Sequence, residues 1–257
     1  PKFAVIGYGK MGGKELGYAS DLDLVYLYDD DAQEAGENYS RLGQRLNTWL
    51  SSQTSAGILF ETDLRLRPNG DAGLLAVSVD AFRDYQLTKA WVWEHQALTR
   101  ARFCAGDPAV GERFEAIRCE ILCQQRDLAT LREEVVAMRK KMTDAHATNS
   151  ETHFGLKHDS GGIIDVEFIV QYLVLGHASQ HHSLTGNLGN IALLRIAGEL
   201  GLINPEQALA AGNAYREYRR LQHAKRLSAS PKAPIPREGI ENHIVAVNRL
   251  WKAVFET

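Results

Sequence analysis

The segment SDLDLVYLY, residues 20–28, places Asp21 and Asp23 at the head of a stretch otherwise built to be buried. In an extended strand, residues i and i+2 project from the same face, so the two carboxylates point the same way. Like charges held a few ångströms apart repel, which raises one pKa or destabilises the fold unless a cation sits between them. Hard divalent cations such as Mg²⁺ suit a pair of oxygen ligands of this kind. The competing reading is a polar strand end whose acids meet water or cap a turn, and the neighbouring segments decide between the two.

On the N-terminal side, FAVI at residues 3–6 is a short buried strand. It runs into GYGKMGGKEL, which carries Gly7, Gly9, Gly12 and Gly13. Glycine lets the backbone turn tightly and come close to a ligand. On the C-terminal side, an acidic turn at Asp29 to Asp31 precedes a helix with Leu42, Leu46, Trp49 and Leu50 on one face, covering the sheet. Residues 57–78 are expected to form a hairpin around the breaker-rich turn from Pro68 to Gly73. In its first strand Ile58, Phe60, Thr62, Leu64 and Leu66 share a packing face. Leu59, Glu61, Asp63, Arg65 and Arg67 share a charged one.

After Val79 the texture turns helical. Asp107-Pro108 is an N-cap followed by proline at the first helical position. Leu128, Leu131, Val135, Met138 and Met142 step by three and four as a core stripe, and Asn204-Pro205 caps another helix. The apolar helix over 161–175 is interrupted only by Asp165, Glu167 and Gln171. Asp165 and Glu167, at i and i+2, lie on different faces: one is expected to reach a nucleotide and the other to pair within the helical domain. Lys157, on the extended FGLKHD before that helix, is a candidate phosphate contact, whereas His177, His181 and His182 read as a polar loop. The expected class is α+β, with a mixed-sheet domain over 1–105 and an all-α domain over 106–257.

Composition excludes more than it identifies. A net charge of -3 gives no electrostatic case for a nucleic-acid partner. Cys119 and Cys123 stand at helical spacing with no second pair to complete a zinc site, so the three cysteines are expected as reduced thiols in a cytoplasm. No apolar stretch approaches the roughly 20 residues of a spanning helix, and no signal peptide opens the chain. The opening PKFAVIG looks like a strand already under way, as in a piece of a longer polypeptide.

The order of strand, glycine-rich turn, strand headed D-x-D, helix, and later strand with a third acid resembles the nucleotidyltransferase superfamily typified by DNA polymerase beta. That resemblance implies a two-metal site in which Asp21 and Asp23 hold two Mg²⁺ ions and Asp63 joins them at the ion that activates the attacking hydroxyl. Glycine-turn N–H groups at Gly7, Gly9, Gly12 and Gly13 would face the triphosphate of ATP, with Ser20 touching the same phosphates. Lys10, Arg65 and Arg67 are candidates for phosphate or transition-state contacts; ion pairing of the arginines with Glu61 or Asp63 is the competing role. The glycines depart from the usual spacing. Gly7-Tyr8 fits the distance to the acids but not the second residue, while Gly12-Gly13 fits the residues but lies too close.

Four longer strings, GYGKMGGKELGYASDLDLVYLYD, FETDLRLRPNGDAG, WEHQALTRAR and GGIIDVEFIVQYLVL, together resemble the bacterial glutamine synthetase adenylyltransferases, enzymes with two homologous catalytic halves. The resemblance implies transfer of AMP from ATP to a tyrosine hydroxyl of glutamine synthetase, in the service of nitrogen regulation. It also implies the nitrogen-signalling protein PII and glutamine as effectors acting through the full-length enzyme, and neither nucleic acid nor membrane as partner. GYGK and GYASDLDL look more like the carboxyl-terminal, adenylylating half than the half that removes the group by phosphorolysis with release of ADP. The phosphorolytic half and an inactive regulatory module of the same fold stand as alternatives; the intact Asp21, Asp23 and Asp63 weigh against the second.

Overall fold

The computed structural model describes residues 1–18, 20–148, 150–228 and 233–256. The chain divides into two compact units, Pro1–Cys123 and Gln124–Thr257.

The first unit is built on β1 (Phe3–Gly7), α1 (Gly9–Gly12), β2 (Leu22–Tyr28), α2 (Ala35–Ser51), β3 (Gln53–Thr54), β4 (Gly57–Ile58), β5 (Thr62–Asp63), β6 (Ala76–Ser78), α3 (Val79–Thr88), α4 (Val92–Leu98), β7 (Arg102–Gly106) and α5 (Pro108–Leu122). Its sheet runs β5-β2-β1-β7, with β6 also paired to β2. β1 lies antiparallel to both β2 and β7, whereas β5 and β6 lie parallel to β2. The sheet is mixed and small, as expected.

Alternation along β2 feeds two cores. Val25 and Leu27 join Ala4, Ile6, Phe82 and Phe114 on one face; Leu22, Leu24 and Tyr26 join Phe3, Tyr39 and Ala76 on the other. A strand covered on both faces reads as a continuous apolar run, which is why only the head of β2 is acidic. On the second face α2 contributes Leu42, Leu46 and Leu50, but Trp49 in its last turn is 70% exposed.

Two expectations require correction. Residues 57–78 do not form a hairpin: β5 and β6 pair with opposite ends of β2 rather than with each other. Regular strand ends at Asp63, so Leu64 packs into one core and Leu66 into the other, and Arg65 and Arg67 fall in the turn that follows. The first unit also extends past residue 105 to Cys123. The reason is apolar: Val110, Phe114, Ile117 and Ile121 of α5 are buried in the same core as Ile6 and Leu27. The expected start of α5 is present, with the Asp107 side chain accepting from Ala109 N–H at 2.9 Å ahead of Pro108.

The second unit comprises α6 (Leu128–His146), β8 (His153–Phe154), α7 (Ile163–His177), α8 (Asn190–Glu199), α9 (Pro205–Arg226), β9 (Ile235–Pro236) and α10 (Glu241–Phe255). It is helical but not all-α, because β8 and β9 form a two-residue antiparallel ladder. α7 packs against α6, α8, α9 and α10, and its burial on every side accounts for its apolar sequence. Asn204 caps α9 by accepting from Glu206 and Gln207 N–H groups. No helix among the described residues is long and apolar enough to cross a membrane.

Phe114 is fully buried, its ring 5.8 Å from that of Phe82. Phe114→Ala should therefore cost about 3–5 kcal/mol in urea unfolding, as large-to-small core changes do. Trp49→Ala should stay within about 0.5 kcal/mol. A small effect at Phe114 would show that α5 is not part of the first core.

Candidate active site

The parallel pairing of β5 with the head of β2 decides the arrangement: Leu22 is in register with Thr62, and Asp23 with Asp63. Two carboxylates 40 positions apart in the chain thus stand on adjacent strands, and Asp21 lies just ahead of β2. Asp23 sits deepest. Its carboxyl is pushed up from 3.8 to about 6, chiefly by burial, then by the charges of Asp21 and Asp63; Lys10 and Arg100 counter the shift. Asp21 is half exposed, with Lys10 Nζ 4.0 Å from its Oδ1.

Asp63 is held differently. Arg65 N–H donates to its Oδ1 at 2.9 Å, and the Arg65 guanidinium grips both carboxylate oxygens. Those contacts draw the Asp63 carboxyl below its ordinary value, Arg65's hydrogen bond being the largest cause. The competing reading for Arg65 is thus realised: it pairs with Asp63. Arg67 is committed elsewhere. Its guanidinium donates to the carbonyls of Leu64 at 2.6 Å and Gly73 at 3.4 Å, pinning the Pro68 turn, and only 11% of the side chain is exposed.

The four glycines have separate physical roles. Gly9 has φ +50, and a Cβ there would stand 2.0 Å from Asp23 Oδ2, so the backbone of α1 lies directly against that carboxylate. A Cβ on Gly12 would meet the Arg100 carbonyl oxygen at 2.1 Å. The Gly12 and Gly13 N–H groups donate to Tyr8 and Gly9 carbonyls, so they are consumed inside the turn instead of facing outward. Gly7 is crowded by Cys104 and Met11. Ser20 is buried and its hydroxyl accepts from Gly17 N–H at 3.1 Å, bracing the loop while keeping its own proton to donate.

Sequence reasoning passed over the arginines at the start of β7. Arg102 donates to the carbonyls of Gly12 at 3.1 Å and Met11 at 3.2 Å, fastening α1 from behind. Arg100 reaches Glu15 at 2.9 Å, with both side chains mostly buried, and contributes positive charge toward Asp23. The only signal was the string LTRAR, in which no spacing distinguishes the two arginines from solvated surface.

Comparison with known proteins finds similar sequences. Residues 1–117 match the family described as glutamate-ammonia ligase adenylyltransferase. Over those residues the chain resembles this family. Residues 129–231 match a second description, GlnD PII-uridylyltransferase. A protein of Aromatoleum aromaticum named bifunctional glutamine synthetase adenylyltransferase/adenylyl-removing enzyme is 65% identical over 255 residues, covering 99% of this chain and 27% of that protein. An identically named protein of Nitrosomonas europaea is 56% identical over 271 residues, covering all of this chain and 29% of its own length. The chain thus spans under a third of these adenylyltransferase relatives.

Because the folded pKa of Asp23 lies above its unfolded value, its contribution to stability is present below pH 3.8 and lost as pH rises through about 6. Asp23→Asn carries no charge at any pH. The melting temperature of the variant minus that of the parent, measured without divalent cations, should therefore climb from pH 4 to 6 and level off above about pH 7. A difference independent of pH would contradict the carboxylate cluster.

Proposed function

We propose that this chain carries the adenylylating activity of the family it resembles: the phenol oxygen of a glutamine synthetase tyrosine attacks the α-phosphorus of ATP. The new O–P bond forms as the bond to the β-phosphate oxygen breaks, the phenolic proton is lost, and pyrophosphate leaves. The observation that carries the reading is the Asp23–Asp63 register with Asp21 alongside, in a chain 65% identical to a relative that bears the adenylyltransferase name.

Asp21, Asp23 and Asp63 are the residues that would hold Mg²⁺. The fit rests on the donor set: three carboxylates whose mutual repulsion, with burial, already pushes Asp23 up to about 6. Two bound ions would ease deprotonation of a phenol whose ordinary pKa is about 10 and neutralise the departing pyrophosphate. The chain's own side chains do the rest. Gly9 admits the α1 backbone beside Asp23, and Lys10 supplies positive charge next to Asp21 for a phosphate. Arg65 must exchange Asp63 for substrate phosphate as Asp63 takes up its ligand role, whereas Arg67 acts by holding the turn. The Ser20 hydroxyl donates its proton to a phosphate oxygen, and the first unit is the nucleotidyltransferase domain. Glutamine and the PII protein act through the remainder of a longer, cytoplasmic enzyme; the family resemblance is the support for those effectors and for that location.

The test is incubation of the chain with glutamine synthetase and ATP labelled at the α-phosphate. Label should appear on glutamine synthetase. Asp21→Asn and Asp23→Asn should each lower transfer by roughly 100-fold or more, about 2.7 kcal/mol of transition-state stabilisation. Asp63→Asn should lower kcat while leaving KM for ATP little changed. Release of ADP from adenylylated glutamine synthetase with orthophosphate, and no incorporation from ATP, would instead identify the removing activity.

A further inference from the structure

The second unit contains a cavity of about 340 Å³ lined in part by Lys157, His158, His146, Gln222, Lys225 and Arg226. No carboxylate is among its described lining residues, although the chain as a whole is acidic, with a net charge of -3. Three cations lining one pocket repel one another, and an anion bound among them would relieve that repulsion.

The wall is built firmly. Arg139 and Asp165 form an ion pair with each side chain only 4% exposed, and Asp165 also accepts from Gly161 N–H at 2.6 Å. From that buried position Arg139 donates to the His158 carbonyl at 2.8 Å. Buried Asp159 receives the N–H groups of Thr148 and Gly155, each at 2.7 Å, tying together two stretches that line the cavity. The Lys157 carbonyl accepts from Ile164 at the start of α7. Asp165 therefore acts as a structural brace within this unit, while Glu167 accepts from Tyr215 at 3.2 Å.

His158 reports the local field. Its Nδ1 is buried without a hydrogen-bond partner, and its ring lies 4.8 Å from that of His146. Burial, followed by the charges of Lys157, His146 and Arg139, depresses its pKa to about 4; Asp159 opposes them. The ring is thus neutral at neutral pH and available to hydrogen-bond a ligand.

We infer that this cavity is a binding site for a small phosphate-bearing ligand, held by Lys157, Lys225 and Arg226 within a backbone frame fixed by Arg139, Asp159 and Asp165. The volume lies at the lower end of the range for small-molecule sites, roughly 300–1,000 Å³. Free inorganic phosphate and the phosphate of a mononucleotide share the required chemistry. The inference does not depend on the reaction assigned to the first unit.

The test titrates the whole chain, free of divalent cations, with inorganic phosphate and separately with AMP, following the His146 and His158 ring resonances by NMR. Saturable shifts are expected, together with a rise in the His158 pKa on binding. Lys157→Gln and Arg226→Gln should each weaken phosphate binding at least tenfold with circular dichroism unchanged, whereas Arg41→Gln on the exposed face of α2, paired only with Glu37 among the described residues, should not. Tighter binding of AMP would identify a nucleotide as the source; equal binding would identify the phosphate group alone. Absence of a saturable shift, or binding unaffected in both folded variants of the cavity, would overturn the assignment.

Discussion

The geometry of the first unit depends on one short stretch of backbone pairing: Leu22 and Asp23 against Thr62 and Asp63 in parallel register. A slip of one residue would turn Asp63 to the opposite face of the sheet and separate the two carboxylates, because side chains alternate along a strand. Register is fixed by the apolar residues on either side. Leu22 and Leu24 are buried in one core with Phe60 and Leu64 packed against it, so the acids come together only where those side chains fit. The core thereby stabilises a repulsive contact that the carboxylates alone would disfavour.

Charge around that contact is graded. Asp23 is buried and pushed up, Asp21 is half exposed beside Lys10, and Asp63 is drawn down by Arg65. Exposed ion pairs of this kind contribute little to stability, about 0–1 kcal/mol, so Arg65 can exchange one anionic partner for another at small cost. Arg102 has the opposite character. By donating to the carbonyls at the end of α1, it fixes the glycine turn that brings backbone against Asp23.

In the second unit the buried Arg139–Asp165 pair has a comparable organising role. Removing one partner of a fully buried pair leaves an uncompensated charge and costs roughly 3–5 kcal/mol. Here it would also release the His158 and Asp159 carbonyls that Arg139 holds. An interrupted apolar helix, α7, is thus the consequence of a polar anchor that shapes the loop ahead of it.

Much of this was legible in the chain itself. The two-sided burial of β2, the acids at its head, the caps at Asp107 and Asn204 and the apolar α7 all follow from local periodicity and capping chemistry, which act within a few residues. The pairing partners did not follow. Alternation through residues 57–67 suggested a hairpin strand, yet β5 stops at Asp63 and joins β2, because the apolar residues beyond it are divided between two cores. The same limit applies to α5: its cap is local, but its place in the first unit depends on Phe114 and Ile121 meeting Ile6 and Leu27 from distant segments. Arg100, Arg102 and the partner of Asp165 were unreadable for a related reason. A charged residue carries no periodic signature, and whether it pairs, braces a turn or meets water is decided by which carbonyls and carboxylates the fold brings within about 3 Å of it.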